Sequence, residues 1–293
     1  MFRKQIILIV LGFLGFYNAN AQDLKFLKLK KYKVATLDKQ LNETSGLTEI
    51  GGKLLSFNDS GNSADIYEID RESGDVKKIA TNATNFDWEA ISTDGKNLYI
   101  GDFGNNLGTR NNLTIYKVPF QEAEQPLKYE KILKFYYPNQ EEFVPLNRKT
   151  DFDAESMIYH QGNLQIFSKE WASYNTRHYE IKTDTEERQP AVLLEEYPLG
   201  YLATDATYKN GKLYIVGYTK KAEVYLTVFQ ETAPNRFFEA KPQKYYLGMS
   251  FSIGQIEGIT ATEEGLYISG ERFKTKIKDV KQPLYFVPYN KLK

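Results

Sequence analysis

The sequence predicts an all-β protein with the architecture of a β-propeller, and three observations support this. A short unit of two strands joined by a tight turn occurs five times along the chain. Tyr and Phe are abundant, at 22 and 18 residues, which is typical of strands. The chain has no cysteine, so strand pairing and a hydrophobic core must stabilise it without disulfides, and thiol catalysis and thiolate metal sites are excluded.

The repeated unit consists of a strand, a turn that contains glycine, and a second strand, as expected of a β-hairpin. An apolar residue of the first strand and a leucine of the second are seven residues apart in four copies. In the fourth copy, the interval from Thr207 to Leu213 is six residues. The copies begin at Ser45, Glu89, Glu155, Asp205 and Glu257, and their turns contain Gly51-Gly52, Asp94-Gly95, Gln161-Gly162, Asn210-Gly211 and Glu263-Glu264-Gly265.

Further strand-like segments follow each hairpin, so each unit is predicted to form a four-stranded blade. Third strands are predicted at 65–69, 113–118, 176–181, 224–229 and 284–287, and fourth strands at 76–79, 132–136, 191–194 and 244–247. The fifth unit has no fourth strand of its own, whereas residues 26–34 form a spare strand near the N-terminus. Pairing this strand with the last blade closes the ring and removes an exposed sheet edge.

We therefore predict five blades closed by the N-terminal strand. The longest interval between units runs from Glu89 to Glu155. Segments 121–127 and 138–149 within it are interpreted as loop insertions, and a degenerate sixth blade is the alternative. No change of composition indicates a second domain, so residues 22–293 are predicted to be one propeller domain.

The first 21 residues have the pattern of an export signal. Arg3 and Lys4 precede an apolar run at 5–17, and Ala19-Asn20-Ala21 supplies the small-x-small cleavage pattern. A membrane anchor is the alternative, but the run is shorter than the ~20 residues that a membrane helix needs. We therefore expect an exported protein, periplasmic or secreted, with no integral membrane segment after cleavage.

The charge balance bears on the kind of partner. The chain has 38 basic and 38 acidic residues, and removal of Arg3 and Lys4 leaves 36 basic against the same 38 acidic residues. Because nucleic acids and anionic membranes require a basic surface, neither is expected as a partner. We expect a monomer that binds a small molecule, a glycan or a protein.

The most informative pattern is a column of acidic residues at the start of the units. The first strand of a propeller blade lines the central channel, so these side chains are expected around one channel mouth. Crowded carboxylates repel one another and favour a bound cation, and oxygen ligands favour Ca²⁺. The predicted metal ligands are Glu43, Glu89, Glu155, Asp205 and Glu257, with Asp59 and Asp102 from nearby loops. The structural alternative is that such acids bind neighbouring backbone N–H groups.

Other side chains near the same motifs are candidates for ligand binding. Lys169, Glu170, Glu271 and Arg272 follow second strands, and the two basic residues are candidates to hold an anion. Trp88 and Trp171, with Phe103, Tyr174 and Tyr218, are candidates for an aromatic floor, although such residues also pack between blades. His160 in a turn and His178 in a third strand are not expected to form a zinc site, and no Gly-x-Ser-x-Gly elbow is present.

Three segments, DWEAI…DGKNLYIGDFGNN, DAESM…GNLQIFSKE and IEGI…EGLYISGER, resemble the phytase-like and SdiA-regulated propeller families. The resemblance implies a propeller with calcium-bound carboxylates and carries the strand-opening acids over to Glu89, Glu155 and Glu257, with Glu271 after the last second strand. It breaks down at Asp205-Ala206-Thr207, and the Lys- and Arg-rich phosphate grip of alkaline phytases is not evident. Sugar-lactonase propellers, with an inner acid ring around one metal, are a more distant comparison.

Two functions remain open from the sequence. The first is an exported propeller that binds a ligand or partner at one face, with a cation near the channel. The alternative is a calcium-dependent hydrolase, phosphoesterase-like or lactonase-like, in which the cation polarises the substrate and activates a water. Whether the protein is an enzyme at all is left undecided at this stage, because fold does not imply function.

Overall fold

Five sheets form the body of the protein, and each is built on four antiparallel strands that follow chain order from the inside outwards, except that the outer strand of the fifth comes from the N-terminal segment. The computed structural model describes residues 24–121, 125–276 and 278–292; the predicted signal peptide at residues 1–21 lies outside these residues. Blade 1 comprises β3 (Thr44–Ile50), β4 (Lys53–Asn58), β5 (Asp65–Ile69) and β6 (Val76–Ala80). Blade 2 comprises β7 (Trp88–Thr93), β8 (Asn97–Asp102), β9 (Leu113–Pro119) and β10 (Lys131–Tyr136).

The remaining three blades follow the same plan. Blade 3 comprises β11 (Ala154–His160), β12 (Asn163–Ser168), β13 (Thr176–Ile181) and β15 (Val192–Tyr197). Blade 4 comprises β16 (Leu202–Lys209), β17 (Lys212–Tyr218), β18 (Glu223–Gln230) and β19 (Gln243–Met249). Blade 5 comprises β20 (Gln255–Ala261), β21 (Gly265–Glu271), β24 (Pro283–Pro288) and, from the N-terminus, β2 (Lys33–Thr36).

Short elements complete the chain. Two short strands extend blades by parallel pairing: β1 (Leu24–Phe26) pairs with β19 of blade 4, and β14 (Gln189–Pro190) pairs with β10 of blade 2. The hairpin of β22 (Phe273–Lys274) and β23 (Asp279–Val280) follows β21. Single helical turns lie at Leu29–Tyr32, Lys39–Leu41, Ser250–Ile253 and Tyr289–Lys291. Within the described ranges, no helix is long and apolar enough to cross a membrane.

The five inner strands β3, β7, β11, β16 and β20 form a closed ring. Each contacts the next in order, and β20 contacts β3. Five clusters of buried apolar side chains lie between adjacent blades, one at each interface, including the interface between blades 5 and 1. The prediction of a five-bladed propeller is therefore confirmed, and no sixth blade occurs in the described part of the 89–155 interval.

The N-terminal strand closes the ring as predicted, but a single continuous strand over residues 26–34 is wrong. The segment serves two blades, because β1 lies at the edge of blade 4 and β2 pairs with β24 of blade 5. The turn at Leu29–Tyr32 carries the chain from one edge to the other. Leu29 is fully buried there, in the apolar cluster between blades 4 and 5.

Asp205 crosses the channel and ties three inner strands together. Its Oδ2 accepts hydrogen bonds from the backbone N–H of Leu47 in β3 at 3.1 Å and of Ile259 in β20 at 2.7 Å, and its Oδ1 accepts from Ala206 N–H at 2.8 Å. Blades 4 and 1 are not neighbours in the ring, so this contact reaches across the axis. The side chain is fully buried, and burial raises its pKa well above the usual value. Asp205 therefore fits the structural alternative, in which an acid binds backbone N–H groups.

Replacing Leu29 with Ala should destabilise the protein by about 2–5 kcal/mol, because it opens a cavity where the N-terminal segment joins blades 4 and 5. Leu24→Ala is the matched control, since Leu24 is 41% exposed and should change stability by less than about 0.5 kcal/mol. Urea unfolding followed by tryptophan fluorescence measures both. Equal effects of the two substitutions would contradict the role given to the N-terminal segment.

Replacing Asp205 with Ala should cost at least about 1–3 kcal/mol of unfolding free energy, because it leaves buried N–H groups of two other blades without an acceptor. Asp184→Ala serves as the control, since Asp184 is exposed and should behave like other surface substitutions. The same urea experiment compares them. If Asp205→Ala leaves the unfolding free energy unchanged, the hydrogen bonds of Asp205 across the channel do not stabilise the closed ring.

Candidate functional site

A β-bulge in the inner strand turns a glutamate towards the channel in three of the five blades. The pairing between inner strand and second strand skips one residue there: Glu89 in blade 2, Glu155 in blade 3 and Glu257 in blade 5. Bulges redirect a side chain out of the regular alternation of a strand. In blade 4 the skipped residue is Thr204, so the acid that follows it, Asp205, takes a different direction.

These glutamates line a cavity of about 90 Å³ at one mouth of the channel, called the mouth cavity below. Residues at or just after the ends of second strands form much of the remaining wall, because the second strand of each blade ends beside the start of the first. The lining residues are Ser45, Asp59, Glu89, Asn106, Arg148, Glu155, Lys169, Trp171, Tyr218, Gln255, Glu257 and Glu271. The predicted acid column therefore does converge at one mouth, without Asp205.

Lys169 is the buried cation of the mouth cavity. It is 3% exposed, and its ammonium forms an ion pair with Glu155. The nitrogen lies 4.9 Å from the centre of the Trp171 ring and 5.4 Å from that of Tyr218, which is cation–π geometry. Burial opposes the charge, but Glu155 and other neighbouring acids hold the Lys169 pKa well above its usual value. Lys169 therefore neutralises the blade 3 side of the acid ring from within the chain.

Three carboxylates meet between blades 1 and 2. One oxygen from each of Asp59, Asp87 and Glu89 lies within 4.8 Å of the others. Glu89 is 5% exposed, and no described residue hydrogen-bonds or ion-pairs with its carboxylate. Burial and the nearby Glu155 and Asp59 raise the Glu89 pKa well above its usual value, and burial with Asp59 and Asp153 raises that of Asp87 to about 6. Within this acid cluster, Asp59 accepts from the Ser60 N–H and Asp87 lies 3.9 Å from Arg110, whereas Glu89 has no donor among the described residues.

The blade 5 side of the cavity holds two carboxyl groups bridged by an amide. The Gln255 side chain donates to Glu257 Oε1 at 2.6 Å and to Glu271 Oε2 at 3.2 Å. Oε2 of Glu257 is buried and has no described residue at hydrogen-bond distance and angle, although the Tyr218 hydroxyl lies near enough to act against the rise that burial causes in the Glu257 pKa. Burial and Glu257 raise the Glu271 pKa to about 9, so Glu271 retains its proton at neutral pH. One unsatisfied acceptor and one carboxyl donor therefore face the cavity side by side.

The loop after β8 fixes the acid cluster from outside. Asp102 is fully buried and accepts from the backbone N–H groups of Phe86 and Asp87, at 3.1 and 3.2 Å, and from Arg110 at 2.8 Å. Gly104 packs so closely that a Cβ there would collide with the carboxylates of Glu89 and Asp87. Asp102, predicted as a metal ligand, is therefore a support that places Asp87.

Asp153 plays a similar supporting part for the aromatic wall. Its buried carboxylate accepts from the Trp171 indole at 2.7 Å, from Asn105 N–H at 2.7 Å and from Ala154 N–H at 3.1 Å. These bonds join the loops of blades 2 and 3 and hold the Trp171 ring against Lys169. Arg148, from the insertion before blade 3, covers the other part of that ring with its guanidinium 5.2 Å from the centre.

Several predicted ligand-binding residues lie elsewhere. Trp88 is fully buried between blades 1 and 2, and its indole donates to Thr84 O at 2.8 Å. Glu170 is buried under blade 3 with Ser168 and Arg177. The structure does not bring these two residues to the mouth cavity, because they face the blade interiors.

The remaining predicted residues divide between the rim and other surfaces. Arg272 lies on the β22–β23 hairpin, paired with Asp279. Glu43 is exposed and accepts from Asn62 at 2.8 Å, outside the cavity lining. Of the aromatic candidates, Tyr218 lines the cavity, whereas Phe103 is buried between blades 2 and 3. Tyr174 packs under the Lys220 ammonium.

Three residues of the site are not predicted from the sequence: Asp87, Arg148 and Gln255. A signal existed for two of them, because Asp87 and Gln255 lie two residues before a strand-opening glutamate, the same position that Glu43 takes before Ser45. No pattern marked Arg148, which reaches the cavity from an insertion. The two histidines lie elsewhere, with His178 buried between Glu195 and Gln165.

Comparison with known proteins bears on the fold. The chain matches no family model. None of the curated proteins matches it. Among solved structures, an exo-β-1,3-galactanase from Clostridium thermocellum aligns with a TM-score of 0.54 and 10% identity, over 83% of this chain and 58% of that chain.

A GH43 β-1,3-galactosidase, solved with galactodeoxynojirimycin, aligns with a TM-score of 0.49 and 10% identity, over 83% of this chain and 89% of that chain. Sequence identities this low concern the fold and not the site. The likeness to the galactanase therefore supports the β-propeller architecture and carries no statement about activity.

Proposed function

We propose that this chain is an exported propeller that binds a divalent cation, with Ca²⁺ as first choice, in the mouth cavity, and that the cation helps to hold a ligand at that face. Export rests on the N-terminal pattern of Arg3, Lys4 and the apolar run, followed by Ala19-Asn20-Ala21. The cation rests on the acid cluster of Asp59, Asp87 and Glu89.

One observation carries the proposal: Glu89 is nine-tenths buried and unpartnered, and it faces two further carboxylates. An ionised carboxylate without a partner in a buried site costs on the order of several kcal/mol. Such a group takes up a proton unless a cation compensates its charge. A divalent cation within reach of all three oxygens supplies that compensation. The acid cluster therefore has the character of a metal site more than of a surface group of acids.

The donor set favours Ca²⁺ over transition metals. All three cluster ligands are carboxylate oxygens, with the amide of Asn106 and the hydroxyl of Ser45 in the same cavity. Hard oxygen ligands in an irregular arrangement suit Ca²⁺. The chain has no cysteine, and His160 and His178 are engaged with Glu231 and Glu195.

The proposed ligand set revises the one predicted from the sequence. Glu155 already pairs with Lys169, and Glu257 with Gln255, so these two acids are assigned to ligand contacts beside the cation. Only Lys169 and Arg148 bring positive charge to the cavity lining, which disfavours a phosphoesterase. We therefore propose that the resemblance to phytase-like propellers extends to the cation site and not to phosphoesterase activity.

Replacing Glu89 with Gln should weaken Ca²⁺ binding by roughly tenfold or more, about 1.4 kcal/mol of binding free energy, because it removes the buried charge. Gly104→Ala should have a similar effect, since it keeps all three carboxylates but places a methyl group against two of them. Isothermal titration calorimetry on the mature chain measures both. Glu72→Gln in the exposed turn between β5 and β6 is the control and should leave the affinity unchanged.

Circular dichroism on each variant separates loss of binding from loss of folding. If folded Glu89→Gln binds Ca²⁺ as tightly as the unmodified chain, the acid cluster is not the cation site and the proposal fails.

A second candidate is a metal-assisted hydrolase of lactones or other neutral esters. The observation that favours it is the mixture of protonation states in one cavity: Lys169 is charged, Glu271 retains its proton and Glu155 is held as an ion pair. A carboxyl group with a pKa of about 9 is suited to donate a proton to a leaving alkoxide, and the cation would polarise the carbonyl.

Turnover of simple lactones and aryl esters in the presence of Ca²⁺ tests this second candidate. We expect hydrolysis, if the chain is an enzyme, to fall by roughly a hundredfold or more in Glu271→Gln, the size of a lost general acid. Arg272→Gln, on the neighbouring surface hairpin, is the control. Ca²⁺ binding without turnover of any of these substrates excludes the hydrolase and leaves the binding function.

A further inference from the structure

We propose that the ligand of the mouth cavity is a neutral, hydroxyl-rich molecule, a polyol or a sugar, which presents a pair of adjacent hydroxyl groups to the cation and to Glu257. This inference rests on the cation site proposed above and names the class of ligand for it.

The charges of the cavity disfavour an anionic ligand. Five carboxyl groups line the cavity together with two basic side chains, Lys169 and Arg148; the acids are Asp59, Glu89, Glu155, Glu257 and Glu271. Asp87 is outside this lining and lies 3.9 Å from Arg110. A divalent cation would offset the remaining negative charge without giving the cavity an excess of positive charge. A phosphate or carboxylate entering this cavity would therefore gain no net attraction and would lie close to several carboxylates in a partly dry environment, where repulsion is strong.

The same residues disfavour a cationic ligand. The ammonium of Lys169 already occupies the place that an amine would take, between Glu155 and the rings of Trp171 and Tyr218. Burial raises the Glu257 pKa, and the nearby charge of Lys169 partly offsets this rise. An amine would have to sit between this ammonium and the metal cation. A neutral ligand is disfavoured neither by the carboxylates nor by the cations of the cavity.

Hydrogen-bonding groups around the cavity match hydroxyls. Oε2 of Glu257 is a buried acceptor without a hydrogen bond to a described residue, and the Gln255 amide, which donates to Glu257 and to Glu271, fixes the position of both carboxyl groups. The Lys169 ammonium has three N–H bonds, and Glu155 is its ion-pair partner in the cavity. A hydroxyl group donates and accepts at once, so adjacent hydroxyls can give their oxygens to a cation and one proton to Glu257. Leaving such a buried oxygen unsatisfied costs about 1–3 kcal/mol, and a hydroxyl of the ligand removes that cost.

The size of the cavity limits how much of the ligand enters. A volume of about 90 Å³ admits several water-sized groups, since one needs roughly 10–15 Å³ by the same kind of measure. That is room for the edge of a ring carrying two hydroxyls and not for a whole oligosaccharide. The rest of the ligand would lie at the rim, where Arg148 is exposed.

Calorimetry on the Ca²⁺-loaded mature chain tests this with four probes of similar size. The probes are myo-inositol and methyl galactoside as neutral polyols, methyl phosphate as the anion and methylammonium as the cation. We expect at least one polyol to bind and neither charged probe to bind as tightly. Glu257→Gln should weaken polyol binding by roughly tenfold or more while Ca²⁺ affinity stays within about twofold of the unmodified chain.

Each result has one meaning. The inference is overturned if methyl phosphate or methylammonium binds more tightly than both polyols, if neither polyol binds, or if Glu257→Gln binds the polyol unchanged. Because Ca²⁺ affinity is measured first and separately, failure of the chain to bind Ca²⁺ identifies the proposed function as the part that failed, and the inference falls with it. Ca²⁺ binding without polyol binding overturns the ligand class alone.

Discussion

The constraint on which the site depends is the burial of several carboxylates around one axis. Three of them are placed there by β-bulges in the inner strands of blades 2, 3 and 5, and others come from the ends of second strands. Water cannot solvate all of them in so small a cavity, so each charge must find a proton, a partner or a cation. The three solutions occur side by side: a proton on Glu271, an internal ammonium for Glu155, and the unpartnered Glu89, for which we propose a metal cation.

The closed five-bladed ring is what brings these groups within reach of one another. The inner strands contact their neighbours all around the channel, and the axis is narrow enough for Asp205 of blade 4 to bind the backbone of blade 1. Side chains from non-adjacent blades therefore share one cavity. The apolar clusters between all five pairs of blades, and the N-terminal strand that completes blade 5, keep this spacing fixed. The geometry of the site is thus a consequence of ring closure more than of any single loop.

Much of the fold was predictable because the hairpin unit repeats with a nearly constant spacing. The exception was informative. The interval of six residues in the fourth copy, from Thr207 to Leu213, corresponds to an inner strand in which Thr204 takes the bulge position. The prediction that Asp205 belongs to the acid column ignores this interval, which is one residue short, and a shift of one residue in a strand redirects a side chain. The spacing thus contained the reason for excluding Asp205 from the cavity.

The parts of the site that could not be predicted depend on how loops fold over the blade ends. Lys169 and Glu170 are neighbours in sequence, yet one enters the cavity and the other is buried beneath blade 3. Trp88 opens an inner strand and Trp171 follows a second strand, but only Trp171 has an indole held at the cavity wall, by Asp153. Local pattern does not decide such cases, since the outcome depends on partners that are distant in sequence.

The position of Lys169 explains why the sequence predicts more metal ligands than the proposed cation site uses. An ammonium fixed by cation–π contacts and an ion pair divides the ring into a half neutralised by the chain and a half that is not. A metal cation close to Lys169 would be repelled, so the cation belongs on the blade 1 and 2 side, where Asp59, Asp87 and Glu89 converge. Glu257 and Glu271, which line the cavity from blade 5, are then the acids assigned to a ligand. The division of charge within the ring, more than the number of acids, gives the cavity its proposed specificity.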